Sequence, residues 1–368
     1  MENWEYLNKY LKQCKAEGLR PKTIKMSEHI LKHFLSWYGD KSLNDLTDDD
    51  IYNYLDFLDS YTYKRKGLKC CYSEATKQHN RIIIRKFVTS FNPNLGKIIK
   101  IKTIKNDKLP ESLFTPDEIE KLINACQSER DRAMISTFYE SGARKGELLS
   151  VKLKHVTFDE YGCIMNIPKG KTGSRRIRLV YSASFLRQWI ECHPLKDNRE
   201  ALLFCSLHSP FNAISDAGMF LQLRTLGGKA GIPADKLYWH NFRHTRATEL
   251  AQKLTEAQLK EYLGWVQSSQ MSSVYVHLSG KNIDGAILKM HGIEIKEEEK
   301  IKVNRCPRCK EINPDLVLYC GKCGLPLKDE VKAQIEADKA EIDLAIMEAI
   351  MINPEILEEI KNRIKHIQ

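Results

Sequence analysis

Apolar residues recur at spacings of three and four through the first hundred positions, a pattern typical of helices with one buried face. The second of these helices should end at Gly39, and the third should begin after Thr47 as N-cap, with acids in its first turn. A fourth should run from near Ser73 to Phe91. The expected buried stripes are Tyr6, Leu7, Tyr10, Leu11; Ile30, Leu31, Phe34, Leu35, Tyr38; Ile51, Tyr54, Leu55, Leu58; and Ile82, Ile83, Phe87, Val88. The pattern predicts an all-α domain of four helices over residues 1–96.

A second domain begins where Thr115 and Glu118 form a capping box around a proline at the first helical position. A further helix should span 129–141. Alternating apolar and polar residues at 163–167 and 175–180 predict two strands of a hairpin, joined by a basic, glycine-rich connection. The remainder is mostly helical to about residue 292. Residues 111–295 are therefore expected to form an α+β domain, mostly helical with a small antiparallel sheet, and the whole chain to be multidomain.

Positive charge is concentrated in one stretch. Residues 61–109 carry thirteen Lys or Arg against two acids, while the whole chain has a net charge of +10. Such a surplus favours a polyanionic partner, and a basic linker at 97–110 between two domains suits a clamp around a DNA duplex. A solvated loop and helix face is the alternative explanation. The DNA contacts expected here are Lys64, Arg65, Lys66, Lys77, Arg81, Lys86, Lys102 and Lys105.

Four of the eleven cysteines have the spacing of a metal site. Cys306 and Cys309 form one C-x-x-C pair and Cys320 and Cys323 another, ten residues apart. Four thiolates fill the tetrahedral shell of a closed structural Zn²⁺ site, so residues 303–328 are predicted to be a zinc ribbon. Its role stays open between protein docking and DNA contact. The side chains considered for DNA contact are Arg305, Arg308, Lys310 and Lys322.

The C-terminal stretch 329–368 is acidic, with ten acids against five basic residues, which argues against DNA binding. It is predicted to be helical, and its apolar stripes could pack within the chain or on a neighbouring copy. No apolar run approaches the roughly 18 residues of a membrane span, and no signal peptide is evident, so a soluble cytoplasmic protein is expected. The stripes comprise Ile335, Ile342, Ile346, Ala349, Ile350, and Ile356, Leu357, Ile360, Ile364, Ile367.

The candidate chemistry lies between residues 141 and 278. His240 and Arg243 are three apart, so on a helix they share a face and present N–H donors suited to a phosphate. The segment Ser-Gly-Ala-Arg144-Lys-Gly-Glu147-Leu, a hairpin lysine, His240-Asn-Phe-Arg243, Leu-Gly-Trp265 and Tyr275 follow one another in order. This set resembles the tyrosine recombinases, the phage integrase family, over about residues 5–295. The segment after Tyr275 looks most like archaeal members.

The resemblance implies a role for each residue. Tyr275 would attack a DNA phosphate and form a 3′-phosphotyrosine, while Arg144 and Arg243 neutralise the phosphate and Glu147 positions Arg144. His240 would donate to the phosphate or help deprotonate the tyrosine. The mechanism that the resemblance implies requires no catalytic metal. Further expectations concern Trp265, which replaces a second histidine; Lys171, or alternatively Lys169, as the acid that protonates the leaving 5′-oxygen; and Lys169 and Arg175 as hairpin DNA contacts.

The expected function is site-specific recombination or integration on double-stranded DNA, most readily for an archaeal mobile element or virus. The resemblance implies a homotetramer on synapsed DNA, weakly associated without DNA, and an accessory directionality factor as a further partner. Two alternatives remain. One is a host Xer-like enzyme that resolves chromosome dimers; the other, of a different class, is a zinc-ribbon DNA-binding regulator that no longer cuts.

Overall fold

The computed structural model describes residues 3–65, 67–101, 112–170, 173–277, 287–288, 290–291, 302–353, 355 and 358–359. The chain divides into two compact units, Met1–Asn106 and Asp107–Gln368. Each unit has a hydrophobic core of its own. The multidomain organisation is thus confirmed. No helix among the described residues is long and apolar enough to cross a membrane.

The first unit is built mainly of helices that begin and end where local signals predict. The second helix ends at Gly39, whose φ of 73° is left-handed and whose N–H bonds to Leu35 O at 3.0 Å. Thr47 and Asp50 form a capping box that starts the third helix. The helices are α1 (Asn3–Ala16), α2 (Pro21–Tyr38), α3 (Asp48–Ser60), α4 (Glu74–Thr89) and α5 (Pro93–Ile98).

The expectation of an all-α first domain is wrong, because a two-stranded hairpin lies between α3 and α4. Strand β1 (Thr62–Arg65) pairs antiparallel with β2 (Leu68–Cys71), and Gly67 supplies the positive φ of the turn. The ring of Tyr72 contacts those of Tyr61 and Tyr63, with centroids 5.0 and 5.5 Å apart. Most side chains of the hairpin are exposed, so no apolar alternation marks it in the sequence.

Two details of the first core also differ from expectation. On α4, Ile84 is fully buried while Ile82 is half-exposed, so the buried stripe is Ile83, Ile84, Phe87 and Val88. Beyond α4, Leu95 and Ile99 belong to the core. The globular part therefore extends to residue 99, past the predicted boundary at 96.

The second unit confirms the predicted helices that follow Thr115 and Ser128, including the capping box of Thr115 and Glu118. Its sheet has three antiparallel strands, one more than predicted, and the strands neighbour one another in chain order. The buried side chains of this sheet join those of the earlier helices in one core, while Ala247, Leu250, Leu259, Leu263 and Tyr275 form a second, smaller cluster. The elements are α6 (Pro116–Asn124), α7 (Glu129–Ser141), α8 (Lys145–Leu148), β3 (Val156–Asp159), β4 (Gly162–Gly170), β5 (Gly173–Leu179), α9 (Ala183–Glu191), α10 (Asp216–Lys229), α11 (Trp239–Ala251), α12 (Glu256–Leu263) and α13 (Met271–His277).

The C-terminal part of this unit has two contrasting pieces. Strands β6 (Val303–Arg305) and β7 (Ile312–Pro314) form a small antiparallel ribbon. Helix α14 (Asp329–Ile352) follows and contains no buried residue; Ile342 is 58% exposed. Packing of the first C-terminal stripe within the chain is therefore not found along α14. The second stripe, Ile356, Leu357, Ile360, Ile364 and Ile367, lies outside the described residues.

Candidate active site and metal cluster

Arg243 lies on α11 and is held rigidly inside the second unit. Its side chain is buried, and its Nη1 and Nη2 donate to Gly142 O at 2.8 Å and Leu263 O at 2.7 Å. Gly142 ends α7 in the left-handed conformation, which turns its carbonyl toward the guanidinium. Burial, together with the charges of Arg144 and Arg175, lowers the pKa of Arg243 to about 9. The group therefore remains cationic at neutral pH.

Arg144 reaches the same region from the turn between α7 and α8. Its Nη1 donates to Glu147 Oε1 at 2.7 Å, and both terminal nitrogens approach Gly264 O at 3.4 and 3.5 Å. The side chain is 31% exposed. Arg144 is thus the guanidinium that faces solvent, beside the buried one of Arg243. Two such groups together form a binding site suited to a phosphate diester.

Glu147 and Arg175 form an ion pair that supports Arg144 and Arg243. Arg175 Nη2 donates to Glu147 Oε2 at 2.9 Å, and its Nε donates to Tyr262 O at 3.0 Å. Burial alone would raise the pKa of Glu147, but the hydrogen bonds from Arg175 and Arg144 hold it below its usual value. Arg175 was predicted to contact DNA, but its side chain is only 7% exposed. Its geometry is that of a positioning residue rather than a DNA contact.

Gly264 fits the close approach of Arg175 to this turn. The residue ends α12 with a φ of 63°, a left-handed conformation. A Cβ at this position would lie 2.6 Å from Arg175 Nη1. Both the backbone conformation and the lack of space therefore require glycine here.

Tyr275 enters the cluster from α13 and is 1% exposed. Its hydroxyl lies 2.6 Å from Nδ1 of His244, and its ring stacks on Trp265 with centroids 5.5 Å apart. The Arg243 guanidinium lies 5.3 Å from the centre of the same Trp265 ring. Burial raises the pKa of Tyr275 to about 12, and the charge of Arg243 opposes this rise. The tyrosine is therefore a neutral phenol at physiological pH.

His240 is exposed in the first turn of α11, on the rim of the cluster. Its ring meets that of His244 edge-on, with centroids 4.6 Å apart. Loss of hydration at the inner edge of the ring, with the charges of Arg243 and Arg144, lowers the pKa of His240. His244 is the residue that sequence reasoning missed. Its signal was its position, one residue after Arg243 and four after His240, which places all three on one helical face.

The structure thus brings Arg144, Glu147, Arg243, Trp265 and Tyr275 into one cluster. Lys171 lies outside the described residues. Lys169 is part of β4, near the point where Gly170 pairs with Gly173 across the hairpin. The identity of the acid that protonates the leaving group stays a prediction.

The predicted DNA contacts of the first unit fall into different groups. Lys64 and Lys86 are exposed. Arg81 donates to both carboxylate oxygens of Asp59, at 2.8 and 2.7 Å, and Lys77 pairs with Glu74 at 2.8 Å. Arg65 lies in β1. Those outside the described residues are Lys66, Lys102 and Lys105.

The four predicted metal ligands meet in the ribbon. The sulfur atoms of Cys306, Cys309, Cys320 and Cys323 all lie within 4.8 Å of one another. The Cys306–Cys323 and Cys309–Cys320 pairs are 3.7 and 3.5 Å apart. A tetrahedral ion with metal–sulfur bonds of about 2.3 Å requires sulfur separations of roughly 3.8 Å. The donor set therefore fits a closed four-thiolate site.

The ribbon is seated on α9 rather than extended away from the unit. Arg187 donates to the buried Glu311 at 3.1 Å, and its guanidinium lies 4.2 Å from the ring centre of Phe158. A Cβ on Gly321 would lie 3.2 Å from Ser184 Cβ, so the ribbon backbone touches the helix closely. These contacts make the ribbon part of the second unit.

Comparison with known protein families gives a separate match for each of the two units. Residues 112–282 match the family model described as the phage integrase family, and residues 4–58 match that of the phage integrase N-terminal SAM-like domain. The tyrosine recombinase XerH of Helicobacter pylori is 29% identical over 221 residues, which cover 58% of either chain. The chain thus spans less than two thirds of the length of that relative.

Two further comparisons cover more of the chain. The tyrosine recombinase XerA of Saccharolobus solfataricus is 24% identical over 294 residues, 78% of this chain and 93% of the relative. A solved structure titled as XerH site-specific recombinase bound to palindromic difH substrate, in a post-cleavage complex, aligns with a TM-score of 0.55 and 25% identity. That alignment covers 77% of this chain and 84% of the other.

Fold and site together define the class of enzymes that break and rejoin DNA strands at specific sites. Both family models fall on the two units, and the relatives are recombinases of that class. Within that class, the chain belongs to the tyrosine recombinases, the phage integrase family.

Proposed function

We propose that this chain cuts and rejoins double-stranded DNA at a specific sequence, with the Tyr275 hydroxyl as nucleophile. The observation that carries the proposal is the packing of Tyr275 on Trp265 directly beside the guanidinium of Arg243. Attack on a phosphate gives a 3′-phosphotyrosine and releases a 5′-hydroxyl. This intermediate retains the free energy of the phosphodiester, so rejoining to another strand needs no nucleotide cofactor.

Arg144 and Arg243 neutralise the non-bridging oxygens as negative charge spreads in the transition state. A guanidinium matches phosphate geometry with paired donors, and both groups are already held by hydrogen bonds to carbonyl or carboxylate oxygens. Little reorganisation is then needed when the phosphate reacts. Two fixed cations supply the charge that metal ions provide in many phosphoryl-transfer enzymes, so the proposed reaction needs no catalytic metal.

The remaining residues have narrower proposed roles. His240, at the rim, donates a hydrogen bond to the same phosphate. The indole of Trp265 positions Tyr275 and cannot exchange its proton, so it takes no part in proton transfer. Lys171, with Lys169 as the alternative, protonates the leaving 5′-oxygen. Glu147 orients Arg144 through their 2.7 Å hydrogen bond.

The test compares wild type with Tyr275→Phe. Both proteins are incubated with supercoiled DNA and with fragments flanking the gene, and covalent adducts are resolved on a denaturing gel. A slowly migrating adduct in wild type alone, with similar DNA affinity for both, is the expected result. An adduct in the Phe variant would overturn the choice of nucleophile. Tight DNA binding without any adduct would favour the non-cutting regulator instead.

The biological setting is proposed more broadly. We place the enzyme with an archaeal mobile element or virus, acting as a homotetramer on synapsed DNA with an accessory directionality factor. The similarity to XerA of Saccharolobus solfataricus supports the archaeal assignment. The same relative favours the second candidate, a host Xer-like enzyme. Mapping the adduct to DNA beside the gene would support the element, and mapping it to a single chromosomal site elsewhere would support the host enzyme.

We further propose that the four ribbon cysteines hold a structural Zn²⁺. The sulfur separations and the two C-x-x-C turns support this assignment. Native mass spectrometry of the whole chain should find one zinc per chain, and a Cys320→Ser/Cys323→Ser variant should lack it. A metal-free wild type after purification without chelators would contradict the proposal. The role of the ribbon, protein docking or DNA contact, stays a prediction.

A further inference from the structure

The hydroxyl of Tyr275 has a specific neighbour that the roles above do not use. His244 Nδ1 lies 2.6 Å from the phenolic oxygen. Among the described residues, no hydrogen bond is found between His240 and Tyr275. The edge-on contact of the two imidazoles places His244 next to His240 on the side of the tyrosine. Proximity to the reacting oxygen therefore distinguishes the two histidines.

His244 is also well fixed in this position. It belongs to the middle of α11, directly after the buried Arg243. The centre of its ring lies 6.1 Å from that of Tyr275, with the ring planes 30° apart. The tyrosine ring also stacks on Trp265. The phenol thus contacts an indole that cannot accept a proton and an imidazole that can.

We propose that His244 is a catalytic residue that accepts the phenolic proton of Tyr275 during strand cleavage. The step rests on the proposed function of Tyr275. As the tyrosine oxygen bonds to phosphorus, its proton passes to His244 Nδ1 and forms an imidazolium. The bond between phosphorus and the 5′-oxygen breaks, and the leaving oxygen takes its proton from the hairpin lysine. Rejoining reverses each transfer, so no oxidant, reductant or further reactant is required.

The surroundings keep His244 in the form that accepts a proton. The titratable and charged groups that face it are His240 and Arg243 on α11 and Tyr275 on α13. Tyr139 of α7 donates to Glu249 instead of facing His244. Arg246 and Tyr262, the latter on α12, both donate to the backbone carbonyl of Glu140. Burial, followed by the charges of His240 and Arg243, lowers the pKa of His244 to about 4. A phosphate bound to Arg243 would offset that positive charge and make the imidazole more basic.

The experiment measures the single-turnover rate of adduct formation from pH 6 to 9, on the DNA fragment where wild type forms its adduct. The decisive variant is His244→Asn, because an asparagine amide places an acceptor near Nδ1 but cannot take the proton. The matched control is His208→Asn, an exposed loop histidine. DNA affinity and melting temperature are measured for each protein.

At pH 7 we expect His244→Asn to be about 100-fold slower than wild type, with unchanged DNA affinity. The difference in rate between His244→Asn and wild type should become smaller toward pH 9, where hydroxide increasingly removes the phenolic proton. His208→Asn should match wild type. Added imidazole should partly restore the rate of His244→Ala.

A His244→Asn variant as fast as wild type at pH 7, or slower by a factor that does not change with pH, would overturn the inference and leave Tyr275 as nucleophile. Absence of any adduct in wild type would instead overturn the proposed function itself. If His244→Asn fails to fold, wild type alone decides. A nearly flat profile between pH 7 and 9 supports the inference, and a tenfold rise per pH unit contradicts it.

Discussion

The two halves of the active site are held in very different ways. In the arginine half, Arg243, Arg144 and Arg175 each donate to backbone carbonyls or to Glu147, and these acceptors come from separate elements of the core. In the tyrosine half, one short helix presents Tyr275, which is held by one hydrogen bond and two ring contacts.

The difference shows which part of the site the fold keeps rigid. The charges proposed to meet the phosphate are pre-organised by the folded core, which is the arrangement that stabilises a developing negative charge best. The proposed nucleophile, Tyr275, is buried on the short helix α13. We infer that changes in the arginine half affect both stability and chemistry, while changes in the tyrosine half affect chemistry alone.

The largest expected effect in the arginine half is from Arg243→Lys. A single ammonium cannot reach Gly142 O and Leu263 O with the paired geometry of a guanidinium, so the charge at the phosphate is misplaced. The rate of adduct formation should fall about 1,000-fold. The control is Arg199→Lys, at an exposed position. An Arg243→Lys variant that keeps the wild-type rate would show that the buried guanidinium is structural only.

Next in size is Glu147→Gln, which leaves Arg175 buried beside a neutral amide. Breaking such a pair should lower the free energy of unfolding by about 3 kcal/mol, measured by urea denaturation. Because the pKa of Glu147 is lowered in the folded state, its stabilisation is present above the unfolded pKa of about 4.3 and is lost as pH falls through the folded value. The difference between the two proteins should therefore shrink in acid. Glu160→Gln, at an exposed site, should behave as wild type. Equal stability of all three at pH 7 would refute the role of this ion pair.

The smallest effect should come from Gly264→Ala. The added Cβ would meet Arg175 and occupy a left-handed conformation, so we expect a loss of about 1–3 kcal/mol in unfolding free energy. Gly228→Ala is the matched control, since a Cβ there meets nothing within 4 Å in the helix α10. It should be neutral or slightly stabilising. If both alanines behave alike, the turn at Gly264 is less constrained than its geometry indicates.

Local signals in the sequence predicted much of this fold. Thr47, Thr115 and Gly39 act on their own turns through hydrogen bonds within a few residues, so their effects can be read without tertiary structure. The helix at 129–141 was predicted at its observed bounds. The hairpin of β1 and β2 was missed because it is exposed on most positions and carries lysines where alternation would be sought. On α4, Ile82 and Ile84 are two positions apart, about 200° around the helix, and the buried face is the one that carries Ile84.

The candidate site was predictable in its main members and not in its support. Arg144, Arg243 and Tyr275 occur in a recognisable order along the chain, and the structure brings them together. Arg175 looked like one more basic residue of a hairpin, because its burial against Tyr262 and Glu147 depends on residues up to 87 positions away. His244 likewise gains its meaning from Tyr275, 31 residues later. Such pairings exist only after the helices pack.

The seating of the ribbon on α9 also has a consequence for synthesis on the ribosome. Cys323, the last of the four clustered thiols, lies 135 residues after Gln188 on α9. At elongation rates of about 5–20 residues per second, translation of the ribbon is complete roughly 7–27 s after that of α9. For most of that interval Tyr275 has not been translated either, and this flank of α9 is uncovered. With the proposed Zn²⁺ in the ribbon, zinc supply would be a factor in the yield of folded enzyme.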